Sequence, residues 1–163
     1  MAKTVFYSFH YDRDVHRVQL VRNIDALEGK PVLNAQDWEE VRCQRDQTIK
    51  NWIDEQMKYK KAVIVLIGAE TANRPWVQYE IEHAWKIKKP LLGIKIHGLA
   101  SLSDGADEEG PDNFFADYSF RIPVFNPTVY GMFDSGIGID TQATYNKLAN
   151  NIEQWSSEGV TRW

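Results

Sequence analysis

Apolar residues gather in five short runs along the chain, and each run predicts a β-strand. The clearest is Ala62–Ile67, because its sequence AVIVLI contains no polar residue. A run without polar alternation is typical of a strand covered on both faces, as in a parallel sheet. The predicted strands are Thr4–Phe9, Pro31–Asn34, Ala62–Ile67, Leu91–Ile96 and Ile122–Phe125.

Between these runs, apolar residues recur every three or four positions, which predicts amphipathic helices. The first stripe proceeds from Val15 in three-residue steps to Leu27, and Gly29 is well placed to end that helix. In the third helix Pro75 lies in the first turn, with Asn73 as the expected N-cap. The predicted helices are about Val15–Leu27, Arg45–Tyr59, Arg74–Lys88 and Thr141–Ser156.

This alternation of strands and helices predicts an α/β fold with helices on both faces of an open parallel sheet. Five strands in this sequence order favour the flavodoxin-like arrangement 2-1-3-4-5. We expect one domain over residues 1–163, since domains of about 100–150 residues are the commonest. Within it, residues 97–139 are expected to form an irregular, loop-rich insert, because this stretch is rich in Gly, Asp and Pro.

Composition and charge narrow the class of protein. The chain has 163 residues with 43% apolar content, enough to fill a core, and a formal charge of −4. The basic surface typical of nucleic-acid binding is missing, so we expect no nucleic-acid partner. The N-terminus lacks the apolar segment of a signal peptide, and Ala62–Ile67 is too short to cross a bilayer, so no membrane association is expected. A single cysteine, Cys43, excludes an internal disulfide and fits a cytoplasmic location.

Familiar cofactor and metal motifs are absent from the sequence. It contains neither the GxxxxGK[ST] phosphate loop nor a GxGxxG turn after the first strand. The acidic residues between Asp104 and Asp112 lack the spacing of a calcium loop, and we expect them to be solvated. His10 and His97 follow two predicted strands, but isolated histidines are more often ordinary surface or loop residues. We therefore predict no metal site and no bound cofactor.

The fold itself predicts where a ligand lies. Open α/β sheets bind ligands beyond the carboxyl ends of their strands, at the point where strand order reverses. In the predicted order this point lies between strands one and three. The polar and aromatic residues delivered there are Ser8, His10, Tyr11, Asn34, Asp37 and Trp38. For Asn34 and Asp37, capping of the following turn is an equally good interpretation.

Glu80 is the most informative single residue. Trp76 and Glu80 are four residues apart on the third predicted helix, so they lie on one helical face beside the apolar stripe. A carboxylate next to a tryptophan near a cleft is a candidate functional group. The alternative interpretations are an ordinary solvated glutamate and a tryptophan that only packs.

Several motifs resemble one known family. Trp76 to Glu80 has the W-x-x-x-E pattern that TIR domains carry after strand three. The opening Val5–Tyr11, VFYSFHY, resembles the VFFSFHY opening of the ThsB family of TIR-like proteins from the Thoeris antiphage system. Leu66–Arg74 resembles that family's L-I-G-x-x-T-x-N-R, and the connector that ends in Trp38 is also similar. The resemblance covers residues 1–96 and is weak beyond them.

The resemblance implies a TIR-type domain that cleaves NAD⁺ between nicotinamide and ribose. NAD⁺ is then a substrate rather than a cofactor. Glu80 would stabilise the positive charge that develops on the ribose, and Phe6, Trp38 and Trp76 would stack on the rings of the substrate. For Phe6, a core position on the first strand is an equally good interpretation. With water excluded, a ribose hydroxyl would attack instead and give a cyclic ADP-ribose-type signal.

The resemblance also implies partners: self-association through the TIR domain, a separate effector protein reached through the nucleotide, and a phage-derived trigger. Two other functions stay open. One is a TIR module without catalytic activity that acts by assembly. The other is an enzyme similar to nucleoside deoxyribosyltransferases, which use a related fold and a carboxylate on an N-glycosidic bond.

Overall fold

The computed structural model describes residues 3–24, 27–28, 46–100, 105–112, 115, 118 and 121–162. Its strands are β1 (Lys3–Ser8), β2 (Leu27–Glu28), β3 (Ala62–Ile67), β4 (Leu91–Lys95), β5 (Val124–Phe125), β6 (Tyr130–Phe133) and β7 (Gly136–Ile139). Its α-helices are α1 (Tyr11–Arg22), α2 (Asp46–Lys58), α3 (Pro75–Lys86) and α4 (Thr141–Ser156). A short 3₁₀ turn, Thr71–Asn73, precedes α3.

Strand β3 lies at the centre of the main sheet. All six of its residues are buried, and it pairs in parallel with β1 on one side and β4 on the other. The two-residue strands β2 and β5 extend this sheet, beside β1 and β4 respectively. The register places Ser8 opposite Val65, so the carboxyl end of β1 lies next to that of β3.

Two apolar clusters cover the two faces of the sheet. On one face Val5 and Tyr7 of β1 pack with residues of α1 and α4, including Val18 and Leu148. On the other face Phe6 packs with α2 and α3, through residues that include Ile53, Met57 and Ile81. Alternate strand residues point to opposite faces, which is why neighbours in β1 join different clusters. The predicted α/β fold, with a parallel sheet and helices on both faces, is confirmed.

Helix α1 differs from its prediction. It begins at Tyr11 and is capped by Asn23, so the expected helix from Val15 to Leu27 is wrong at both ends. Each three-residue step falls about 60° short of a full helical turn, so a stripe at constant spacing of three drifts around the helix. Leu27 lies in β2 rather than in the helix.

Other boundaries shift by a few residues. Arg74 rather than Asn73 is the N-cap of α3, because Asn73 ends the preceding 3₁₀ turn. The predicted strand Pro31–Asn34 lies outside the described residues.

Sequence analysis missed the β6–β7 hairpin, which lies inside the segment expected to be irregular. The two strands pair antiparallel, with Met132 opposite Ile137. Gly136, at φ +114, takes the left-handed turn conformation that favours glycine. Beyond the hairpin Asp140 caps α4, since its carboxylate accepts a hydrogen bond from the Ala143 N–H at 2.9 Å.

Across the described part of the chain, none of the helices combines the length and apolar character needed to span a bilayer.

Candidate active site

Strand β1 delivers Ser8 to the carboxyl edge of the sheet. Ser8 follows Tyr7 and so points to the same face as Phe6, where α2 and α3 pack. Its side chain is fully buried at the end of the strand. A buried hydroxyl requires a hydrogen-bond partner. That partner comes from α3.

Helix α3 delivers Glu80 to the same place. Pro75 occupies the first turn, where its missing N–H leaves no hydrogen bond unmade, and Glu80 follows one and a half turns later. The Ser8 hydroxyl donates a hydrogen bond to Glu80 Oε1 at 3.1 Å. Two residues 72 positions apart are thereby joined at the edge where the fold predicts ligand binding.

The surroundings of Glu80 disfavour its charge. Burial raises the pKa of the Glu80 carboxyl to about 8, and the hydrogen bond from Ser8 opposes this rise without cancelling it. A carboxyl with a pKa this close to neutrality exchanges a proton readily under physiological conditions. Such a group suits acid–base or electrostatic catalysis.

Aromatic side chains line α3 next to Glu80. Trp76, one turn earlier, is partly buried and meets the Tyr79 ring edge-on at 5.9 Å between centroids. The Tyr79 hydroxyl donates a hydrogen bond to Asp54 Oδ1 of α2 at 2.7 Å, which fixes the two helices relative to each other. Burial and this bond raise the pKa of Tyr79, so it stays a neutral donor. Trp76 thus lies on a rigid support within reach of a ligand at Glu80.

The other predicted contact residues fall into three groups. Phe6 is 1% exposed and belongs to the core cluster beneath the site. His10 precedes α1 as its N-cap, with Nε2 at 3.8 Å from Glu70 Oε2, and Tyr11 begins that helix. Asn34, Asp37 and Trp38 lie outside the described residues. Ser8 and Glu80 are therefore the predicted site residues that the structure joins directly, and Trp76 lies one turn before Glu80 on α3.

A charged network on the opposite side of the same edge was not predicted. Arg13 of α1 donates two hydrogen bonds to Asp107, at 2.8 and 2.9 Å, and lies 3.3 Å from Glu70. Asp107 is 16% exposed at its side chain. The expectation that the acidic loop stays solvated is therefore wrong for Asp107, because an arginine fork desolvates and pairs with it. The pKa of Asp107 is lowered by the same bond.

Deeper in this network, Arg17 pairs with the fully buried Asp14 at 3.3 Å. Arg17 also donates to the carbonyl oxygens of Leu99 and Gly105, at 3.0 and 2.9 Å. Burial raises the pKa of Asp14 to about 6. Nothing in the local sequence around residue 105 signals these contacts, since the partners are more than 80 positions apart.

Two glycines, Gly68 and Gly110, allow residues 105–112 to pack closely against the end of β3 and against α1. A β-carbon on Gly110 would overlap the carbonyl oxygen of Gly68, which follows β3. A β-carbon on Gly68 would in turn overlap the Asp14 carboxylate. Residues 105–112 therefore cross directly over the carboxyl end of the central strand.

Among the described residues no group of three or more His, Cys, Asp or Glu side chains is arranged to hold a metal ion.

Taken together, the parallel sheet, the carboxylate on the helix after β3 and its partner on β1 define an α/β domain of the TIR type. Comparison with known families agrees: residues 6–101 match the family model described as Thoeris protein ThsB, TIR-like domain. The chain belongs to this family.

One similar protein carries a functional name. The chain is 34% identical over 119 residues to a Bacillus cereus (strain MSX-D12) protein named "Putative cyclic ADP-D-ribose synthase ThsB1". The match covers 70% of this chain and 62% of that protein, so it spans less than two thirds of the relative's length.

Proposed function

We propose that this protein cleaves the bond between nicotinamide and ribose in NAD⁺ and joins the ADP-ribose product into a cyclic signalling nucleotide. The observation that carries this proposal is the Ser8–Glu80 pair, in which a buried hydroxyl holds a carboxyl of raised pKa at the carboxyl edge of β1. The name of the Bacillus cereus relative supports the same reaction class.

The leaving group explains why one carboxylate suffices. Nicotinamide in NAD⁺ is a cationic pyridinium, and the electron pair of the breaking C–N bond returns to its ring nitrogen, so it departs neutral. No general acid is needed, unlike glycoside hydrolysis, which uses two carboxylates. The positive charge that develops at ribose C1 requires an anion nearby, and Glu80 supplies it.

The raised pKa of Glu80 fits a cationic substrate. At neutral pH most Glu80 carboxyls in the free protein carry a proton, since the pKa is about 8. A pyridinium placed beside the group favours its charged form and lowers that pKa. Substrate binding therefore ionises Glu80 at the moment when its charge is needed. The ionised group is also basic enough to accept the proton of the ribose hydroxyl that attacks C1.

Trp76 lies where a flat ring bound at Glu80 would pass. We propose that it stacks on the nicotinamide or the adenine and keeps water from C1, which lets an internal hydroxyl attack instead. His10 and Tyr11, together with Asn34, Asp37 and Trp38, are proposed to complete the pocket. Phe6 supports its floor from the core.

The proposed biological setting is antiviral defence in the cytoplasm. Residues 1–163 would act as one TIR-like domain that self-associates, responds to a phage-derived trigger and reaches a separate effector through its nucleotide product.

The decisive experiment measures NAD⁺ consumption by chromatography and mass spectrometry. Wild type, Glu80→Gln and the matched control Glu82→Gln are compared in lysates of infected and uninfected cells. Glu82 lies on the same helix but is exposed, so it controls for loss of a carboxylate from α3. We expect nicotinamide and a cyclic ADP-ribose isomer from wild type and Glu82→Gln, with at least ~100-fold less from Glu80→Gln.

Other outcomes would overturn the proposal. If no form consumes NAD⁺ and Glu80→Gln still protects cells against phage, the protein acts as an interaction module. If deoxynucleosides are consumed in place of NAD⁺, the reaction is that of a deoxyribosyltransferase.

A further inference from the structure

The β6–β7 hairpin presents one apolar face to solvent. Directly paired residues of antiparallel strands point to the same side, so the register places four side chains on one face. These are Tyr130, Met132, Ile137 and Ile139. Three of them are strongly exposed: Tyr130 at 61%, Met132 at 78% and Ile137 at 75%.

The opposite face of the hairpin is built differently. It contains three glycines, at 131, 136 and 138, and Phe133. The Phe133 ring lies against the glycines, at 3.4 Å from where a β-carbon of Gly131 would stand and 3.6 Å from that of Gly138. Phe133 thus covers the glycines of this face, although it is still 48% exposed, and the more exposed Tyr130, Met132 and Ile137 all lie on the outer face.

The hairpin is held firmly at its base. The Asp140 N–H donates to the Val129 carbonyl oxygen at 2.8 Å, and the Val129 N–H donates to Thr144 Oγ1 at 3.0 Å. Thr128, just before the hairpin, contacts the buried His97 ring at 3.3 Å. A rigid support of this kind lowers the entropy cost of binding through the apolar face.

We propose that the outer face of the hairpin is a self-association surface, on which a second copy of this chain packs face to face about a two-fold axis. The strands themselves carry no charged residue, so two identical faces meet without repulsion. The one charge inside the hairpin, Asp134, lies in its turn. An antiparallel two-fold arrangement places the two turns at opposite ends of the contact.

The area available fits a weak dimer. The exposed parts of these side chains present roughly 400 Å² of apolar surface per copy, given ~150–250 Å² for a whole aromatic side chain. Two copies together approach the ~1,000 Å² at which specific interfaces begin. Two such faces at the usual ~10 Å sheet spacing would enclose eight apolar side chains between four strands.

The surrounding charge argues against a membrane as the occupant. Residues 122–146 contain no lysine or arginine, and the one charge inside the hairpin is the acidic Asp134. Surfaces that insert into anionic bilayers ring their apolar face with basic residues. A second copy matches this neutral to acidic face better than a lipid headgroup does.

The first test follows oligomeric state by sedimentation velocity, from low micromolar to several hundred micromolar protein. Wild type is compared with Met132→Lys and Ile137→Lys, and with Tyr59→Lys as control. Tyr59 is 72% exposed but lies outside the hairpin, at the end of α2. We expect wild type and Tyr59→Lys to shift to dimers as concentration rises. Each hairpin variant should lower the association constant by at least ~100-fold, because the buried lysine occurs twice in a two-fold interface.

A second readout does not depend on any variant. With ¹³C-methyl methionine, the signal of Met132 should move with protein concentration, whereas that of the fully buried Met57 should stay constant. A monomer at every concentration, a dimer that survives both hairpin substitutions, or a constant Met132 signal would overturn the proposal. Binding of the monomer to phosphatidylglycerol vesicles through Met132 would overturn it in favour of a membrane surface.

Discussion

The raised pKa of Glu80 predicts how the free energy of unfolding depends on pH, and this dependence can be measured without any substrate. Burial raises this pKa from its ordinary value of 4.5 to about 8. Between these values the folded chain keeps a proton on Glu80 that the unfolded chain has released. Raising the pH through this window therefore lowers the free energy of unfolding, and the loss is complete once the folded group ionises.

The gap between the two pKa values corresponds to a loss on the order of 5 kcal/mol above pH 8. Glu80→Gln removes the titration and keeps an oxygen that accepts the hydrogen bond of Ser8. We expect the variant to match wild type near pH 5 and to unfold on the order of 10–20 °C higher at pH 9, since 1 kcal/mol moves the melting temperature of a domain this size by ~2–4 °C.

The assay is thermal unfolding, followed by near-ultraviolet circular dichroism at half-unit steps from pH 5 to 9.5. Glu82→Gln on the same helix is the matched control, because Glu82 is exposed and its difference from wild type should not change across the range. A Glu80→Gln difference that is equally flat would refute the reasoning. A variant less stable than wild type at pH 9 would also refute it, since that result requires an ionised and well-paired Glu80.

Three further predictions concern the residues around this site and the network beside it. Ser8→Ala should move the rising limb of the kcat/KM profile of NAD⁺ cleavage to higher pH, because the hydrogen bond from Ser8 lowers the pKa of Glu80 and its loss raises that pKa; an unchanged limb would contradict this. Arg17→Met should destabilise the fold by about 3–5 kcal/mol in urea unfolding, since it leaves Asp14 buried without its cation, and adding Asp14→Asn should restore much of the loss. Asp140→Ala should cost about 1 kcal/mol through the lost N-cap of α4, and Asp140→Asn should retain most of that stability.

Local signals in the sequence were sufficient for much of this fold. The unbroken apolar run of β3 and the stripe of α4 predicted both elements with the bounds that the structure has. Glu80 could be singled out because its spacing from Trp76 and its place at the start of a helix are both local. The separate prediction of Ser8 needed only the end of β1 and the rule for ligands in α/β sheets.

What the sequence did not predict depends on contacts between distant positions. The bond from Arg13 to Asp107 joins residues 94 apart, and no composition or periodicity encodes such a pair. The β6–β7 hairpin was not predicted for a different reason. Its glycines alternate with apolar residues, and glycine in a run usually argues against a strand. Here those glycines make room for the ring of Phe133.

The charged groups are arranged differently on the two sides of the carboxyl edge, and this difference supports the role proposed for Glu80. On the α1 side, Arg13 and Arg17 are bound to Asp107 and Asp14. On the α3 side, burial and the hydroxyl of Ser8 govern the pKa of Glu80 among the described residues. An arginine placed beside Glu80 would ionise it permanently and would repel a cationic ring. In the proposed reaction Arg13 and Arg17 stay bound on the α1 side, so a bound pyridinium is the cation that ionises Glu80, and departure of neutral nicotinamide leaves that negative charge facing the ribose at the step that needs it.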